Sequence, residues 1–195
     1  MYKKEELLKS SEDFLFKRIK PNLESLEKHV ETNKELIVES FIKKLNKLFD
    51  VALLQQAAAV KEPIEYIYIS FLRSSILTER YEFKIDLFSE MLWMDKEETS
   101  IYWTLKFIFQ YVEKDMEDMN NFVKRKIPQF DLEELKYEYA SCYIPFARLL
   151  INKTIKEVLP RTKFNLLKTD ESVKVMFGGY MEKGEIIHMS NSESE

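Results

Sequence analysis

Glycine is missing from the first 177 residues of this 195-residue chain, and the three that occur, Gly178, Gly179 and Gly184, fall within seven positions. Glycine is the usual way into a positive-φ turn and into close backbone approach to a phosphate. The dinucleotide fingerprint, the Walker phosphate loop and the nucleophile elbow all need glycines at fixed offsets, so each is excluded. The same scarcity favours long helices joined by short polar connections. Cysteine occurs once, as Cys142, which rules out an intramolecular disulfide. The two histidines, His29 and His188, stand far apart, which excludes a zinc site built from Cys and His. No stretch approaches the roughly 18 uncharged apolar residues of a membrane-spanning helix. The start, Met1 to Glu6, lacks the apolar core of a signal peptide. A reducing, cytoplasmic setting is the resulting expectation.

What the chain does contain is a large apolar fraction, 45%, beside 33% charged residues, enough for a sizeable core under a well-solvated surface. Phe and Tyr far outnumber Trp (14 and 10 against 2), so large rings fill wide gaps between elements. The net charge of -4 is mild and shows none of the basic excess of a nucleic-acid binder. The one compact basic run, Lys124-Arg125-Lys126, reads as cations at a helix C-terminus, where they meet the dipole favourably.

Apolar spacing predicts a first helix over 3–20, closed by Pro21, and a second over 23–59 with a break near Thr32-Asn33. Pro63 opens a predicted third helix to about Leu77, apolar nearly all round and therefore buried. Tyr81, Phe83, Ile85 and Leu87 alternate with charged residues, the clearest strand in the chain. Asp95 and Glu98 resemble a capping box for a helix running to Pro128, and Asp131 with Glu134 for a helix running to Val158 that is kinked at Pro145. Val173, Val175 and Phe177 begin a hairpin that turns at Gly184 and returns to Met189, with a bulge at Gly178-Gly179.

The fold class expected is mostly α: an irregular five- to six-helix bundle with a small three-stranded antiparallel sheet. The strand near 80–88 pairs in it with the C-terminal hairpin 172–189. Residues 1–189 form a single domain and 190–195 an acidic tail.

Chemistry is harder to read. Glu185 and His188 match a Glu-x-x-His string, but a strand points positions three apart to opposite sides, so the match is coincidental. Cys142 lies on an apolar stripe as an inert thiol, and His29 sits on a charged stretch. Paired carboxylates such as Glu97-Glu98 and Glu133-Glu134 fall in first helical turns, where they offset the dipole. Arg73 and Arg148 are cations on otherwise apolar faces, and each needs either an anionic partner, a protein carboxylate or a bound ligand, or an exit to water along its stem. Tyr102 and Trp103, with Phe107, Phe109 and Tyr111, form an aromatic cluster that is either core or the lining of a pocket.

These features support a non-catalytic cytosolic binding or adaptor protein acting through a helical surface. Its partner is a protein or a second copy in a homodimer, and neither nucleic acid nor membrane is expected. An alternative is a sensor that binds an aromatic or acidic metabolite in the bundle core, using Arg73, Arg148, Tyr102 and Trp103. A third reading is an enzyme without metal or nucleotide motif. No catalytic residue, metal site or cofactor is assigned.

Overall fold

The computed structural model describes residues 2–123 and 127–191. The run Lys124-Arg125-Lys126 and positions 192–195 of the expected tail lie outside the described residues; Ser190 and Asn191 belong to a strand. The chain divides into two compact units. One comprises Met1–Asn33, Arg73–Tyr81 and Leu105–Ala147; the other comprises Lys34–Leu72, Glu82–Thr104 and Arg148–Glu195.

The first unit is helical. It takes the N-terminal part of α1 (Tyr2–Ala57), with α2 (Arg73–Leu77), α3 (Val112–Val123) and α4 (Gln129–Ser141). Pro21 does not end a helix: α1 runs through it, and both Pro21 and Lys17, whose carbonyl it leaves without an intrahelical donor, are exposed residues. The break expected near Thr32-Asn33 is present, since Asn33 leaves helical geometry at φ −112° and ψ 17°. Its side chain instead donates to the His29 carbonyl at 2.9 Å. A buried polar network ties this unit together. Asp115 accepts from Arg18 (2.7 Å), Asn22 (2.8 Å) and Tyr139 (2.6 Å), and the Tyr143 hydroxyl donates to that of Tyr139 at 3.0 Å.

The second unit is built on a five-stranded mixed sheet, which corrects both the irregular five- to six-helix bundle and the three-stranded antiparallel sheet expected above. Its strands are β1 (Ile64–Phe71), β2 (Glu82–Phe88), β3 (Ser100–Thr104), β4 (Thr169–Gly179) and β5 (Glu185–Asn191), in the order β3-β2-β1-β4-β5. β1 and β4 pair in parallel and the other pairs are antiparallel. The C-terminal hairpin exists, but its neighbour is β1 rather than the strand near 80–88. Its register irregularity lies at Val175/Met176 rather than at the two glycines. Residues 64–71, expected as helix, are the central strand. A strand buried on both faces is as uniformly apolar as a buried helix, and the β-branched and aromatic run Ile64 to Phe71 favours the pleat. Residues 100–104 also leave the expected long helix: Ile101, Tyr102, Trp103 and Thr104 are β-branched or aromatic, and they pair with β2 as an edge strand. Pro145 kinks nothing, because the helix divides at Cys142-Tyr143 and α5 (Ile144–Val158) starts afresh, with the proline in its first turn.

The absence of glycine did not prevent tight turns. Ala59, Glu79, Tyr81, Leu92 and Met181 adopt positive φ between 50° and 60°, whereas no glycine does. Glycine is needed instead for space. A Cβ on Gly184 would lie 2.7 Å from the Tyr68 hydroxyl and 2.8 Å from its ring. That hydroxyl donates to the Glu182 carbonyl at 2.8 Å, which closes the β4–β5 turn.

One face of the sheet is the apolar core. Ile67, Ile69, Phe83, Ile85, Leu87, Val175 and Phe177 lie on it, and Trp103 stacks on Phe41 of α1 with ring centroids 4.2 Å apart. We expect Gly184→Ala to cost about 1–3 kcal/mol, as overpacking does elsewhere; chemical denaturation would show the lowered midpoint, and an unchanged midpoint would contradict the close packing.

Candidate functional site

The opposite face of the sheet carries charge and ends in an open cleft. The cleft begins where α1 stops. Ala59 turns the chain at φ 56°, and the buried amide of Gln56 clamps the Lys168 backbone, donating to its carbonyl at 2.8 Å and accepting from its N–H at 2.9 Å. Lys61 then enters the interior. Its ammonium donates to the Leu87 carbonyl (2.8 Å), the Asp95 carboxylate (2.7 Å) and the Glu97 carbonyl (3.1 Å). Three donors thus meet three acceptors, and a buried ammonium is tolerable on those terms. This one side chain ties the last residues of β2 to the far end of the Ser89–Glu97 connection. Asp95 completes the tie by accepting from the backbone N–H of Ser89 at 2.8 Å and from its hydroxyl. Burial alone would raise the Asp95 pKa, but the hydrogen bonds from Lys61 and Ser89 outweigh it and hold the carboxylate below its usual range.

Between the turn after α1, the start of β1 and β4, and the Ser89–Glu97 connection lies a cavity of about 1140 Å³. Its lining includes six carboxylates and two ammoniums. Asp95 is engaged by Lys61, and Glu65 by Lys174 at 2.8 Å, with Lys174 the first cause of a lowered Glu65 pKa. Glu62, Glu90, Glu97 and Asp170 are exposed, and among the described residues none has an ion-pair partner. Val60, Pro63, Met91 and Met94 add apolar surface to the same lining, with Met94 72% exposed.

A second group of charges is buried on the same face of the sheet. Lys84 contacts Asp86 and Glu98, each at 2.8 Å, and lies 4.9 Å from the centre of the Tyr180 ring. Trp93 packs edge-on against Tyr68 and Phe88. Burial works against the Lys84 charge, yet its two carboxylate partners prevail and raise its pKa. Asp86 is only 1% exposed and accepts no aligned hydrogen bond among the described residues. Burial therefore dominates and raises its pKa despite the neighbouring ammonium.

The residues singled out from sequence are dispersed. Arg73 in α2 pairs with Glu134 and lies 4.3 Å over the Tyr137 ring. Arg148 in α5 pairs with Glu185. Trp103 is core, its indole N–H donating to the Ser40 hydroxyl at 3.2 Å, while its neighbour Tyr102 is exposed on the other face of β3. The Cys142 pKa is raised, first by burial and then by Glu138. The cleft carboxylates escaped the sequence reading, because Asp95 and Glu98 resemble a helix cap. Asp95 instead caps its own loop, and Glu98 reaches Lys84. The available signal was the stretch from Ser89 to Glu98, in which the short apolar run Met91 to Met94 is flanked by acids and no helical stripe develops.

Among the described residues, no group of three or more metal-ligating side chains occurs, and no helix is long and apolar enough to cross a membrane. Comparison with protein-family models, curated proteins and solved structures finds no match to this chain.

Two predictions follow from the buried charges. Removing Lys84 strands Asp86 without a partner, whereas neutralising Asp86 leaves Lys84 with Glu98. Lys84→Met is therefore expected to cost about 3–5 kcal/mol and Asp86→Asn less than half of that, in paired urea titrations. Equal losses would contradict the asymmetry that Glu98 confers, and a double variant that loses the sum of the two would show the pair uncoupled. The Asp95 carboxylate, with its lowered pKa, stabilises the fold above the usual carboxylate range near about pH 4, and that contribution is lost as pH falls through the folded value. Asp95→Asn should flatten the acid limb of a stability-against-pH curve.

Proposed function

We propose that this chain is a non-catalytic cytoplasmic binding protein that takes a cationic ligand in the cleft at the end of α1. One observation supports the reading above others: Glu62, Glu90, Glu97 and Asp170 line one opening without a cation partner. The buried ammoniums of the same unit, Lys61 and Lys84, are already engaged. Like charges gathered on one rim repel one another, and a cationic ligand turns that repulsion into attraction and speeds encounter.

A catalytic role has less support. Lys61 has its donors committed to three acceptors, Asp95 is held ionised by its own loop, and the Cys142 thiol is pushed up rather than activated. The surface proposed is thus the cleft rather than a helical face.

The test is binding of a labelled oligolysine peptide, followed by fluorescence anisotropy, with oligoglutamate as control. Binding of oligolysine alone is expected, weakening at least about tenfold between about 0.05 and about 0.3 M salt as screening tightens. The variant Glu62→Gln/Glu90→Gln/Glu97→Gln should abolish it. Removing the same charge from α1, by Glu24→Gln/Glu27→Gln/Glu31→Gln, should leave it intact. Equal losses in the two variants would reduce the effect to net charge and remove the site.

A further inference from the structure

We infer that the occupant of the cleft is a basic, amphipathic peptide segment of another protein, with Lys or Arg on one side and large apolar side chains on the other. This rests on the reading of the cleft as a seat for a cationic ligand and adds what the rest of the ligand must be.

Size decides first. Small-molecule pockets run from about 300 to about 1,000 Å³ and enclose most of their ligand. The cavity here is about 1140 Å³, and its lining residues Val60, Glu62, Pro63, Glu90, Met91 and Met94 are exposed. An open trough of that size suits a length of chain better than a small metabolite.

The lining chemistry decides next. Met91 and Met94 present thioethers to solvent at 52% and 72% exposure, within a connection that Lys61 and Asp95 hold at both ends. Methionine is unbranched and polarizable, so it moulds itself to varied apolar partners, and it is enriched where one surface must accept many sequences. A small polycation such as a polyamine would satisfy the carboxylates and leave these methionines uncovered. A segment with both properties covers the apolar surface while its cations meet Glu62, Glu90, Glu97 and Asp170. The complementarity is therefore of charge and of apolar area together, as in other grooves that accept amphipathic segments.

Three labelled peptides of equal length test this on the full chain: one of Lys and Leu in amphipathic order, one of Lys and Ser, and one of Glu and Leu. The Lys/Leu peptide should bind at least about tenfold tighter than the Lys/Ser peptide, the gain expected from burying one large apolar side chain. The Glu/Leu peptide should not bind. Met91→Ser/Met94→Ser should remove the tenfold difference between the two basic peptides, and a thermal melt followed by circular dichroism shows that the variant is folded. Spermine should displace the Lys/Ser peptide more readily than the Lys/Leu peptide. Equal affinity of the two basic peptides, an unaltered difference in the methionine variant, or equal displacement by spermine would overturn the amphipathic partner and leave a simple polycation site. Failure of both basic peptides to bind would instead remove the underlying reading of the cleft.

Discussion

The ammonium of Lys61 organises the part of the molecule that matters most for its surface chemistry. A charge taken out of water must be met by hydrogen-bond acceptors, and here the acceptors come from Leu87, Asp95 and Glu97. Because those residues bracket the Ser89–Glu97 connection, satisfying one buried cation also fixes a loop that contains only a single 3-10 turn, Leu92–Met94. The wall of the cleft, with Glu90, Met91, Met94 and Glu97 on it, is thus held by an electrostatic tie rather than by regular secondary structure.

Charge in this chain is sorted by depth. The buried groups are paired: Lys84 with Asp86, Lys61 with Asp95, and Asp115 with the half-buried Arg18. The exposed group at the cleft is not paired, and it has one sign apart from Lys96. The sorting follows from desolvation. An unpaired carboxylate costs little in water and several kcal/mol, about 3–5, inside a protein. A concentration of unpaired charge therefore survives only at the surface, where it remains free to meet another molecule. The sheet separates charge from the apolar core, since alternation sends Ile67, Ile69 and Val175 to the core and Lys84, Asp86 and Tyr68 to the other face.

Parts of the fold were legible because the pattern had only one physical solution. The alternation from Tyr81 to Leu87 can only be a strand with one apolar face, and β2 is there. Asn33 competes with its own backbone, and α1 breaks at it. Other parts had two solutions. The apolar run from Ile64 to Phe71 suits a helix buried all round or a central strand; its β-branched and aromatic residues lean towards the strand, and pairing with β2 and β4 settles it. The capping signature at Asp95 was a genuine N-terminal signal used for a different purpose, the closure of its own loop around Ser89. Arg73 and Arg148 are each about half exposed and each pairs with a carboxylate, and those partners, Glu134 and Glu185, lie 61 and 37 residues away in sequence, beyond the reach of local reasoning.

The sequence by itself determined the exclusions and the local rods: no glycine-dependent phosphate loop, no disulfide, helices over most of residues 2–57, 112–123 and 129–158, and a terminal hairpin. These depend on spacing and propensity, which act over a few residues. The tertiary structure alone decided that the hairpin joins β1 in parallel, that Trp103 is core, and that Glu62, Glu90, Glu97 and Asp170 share one opening. Each of those outcomes brings together residues tens of positions apart, and the energy that selects it, burial of the sheet face and pairing of its interior charges, exists only once the strands have met.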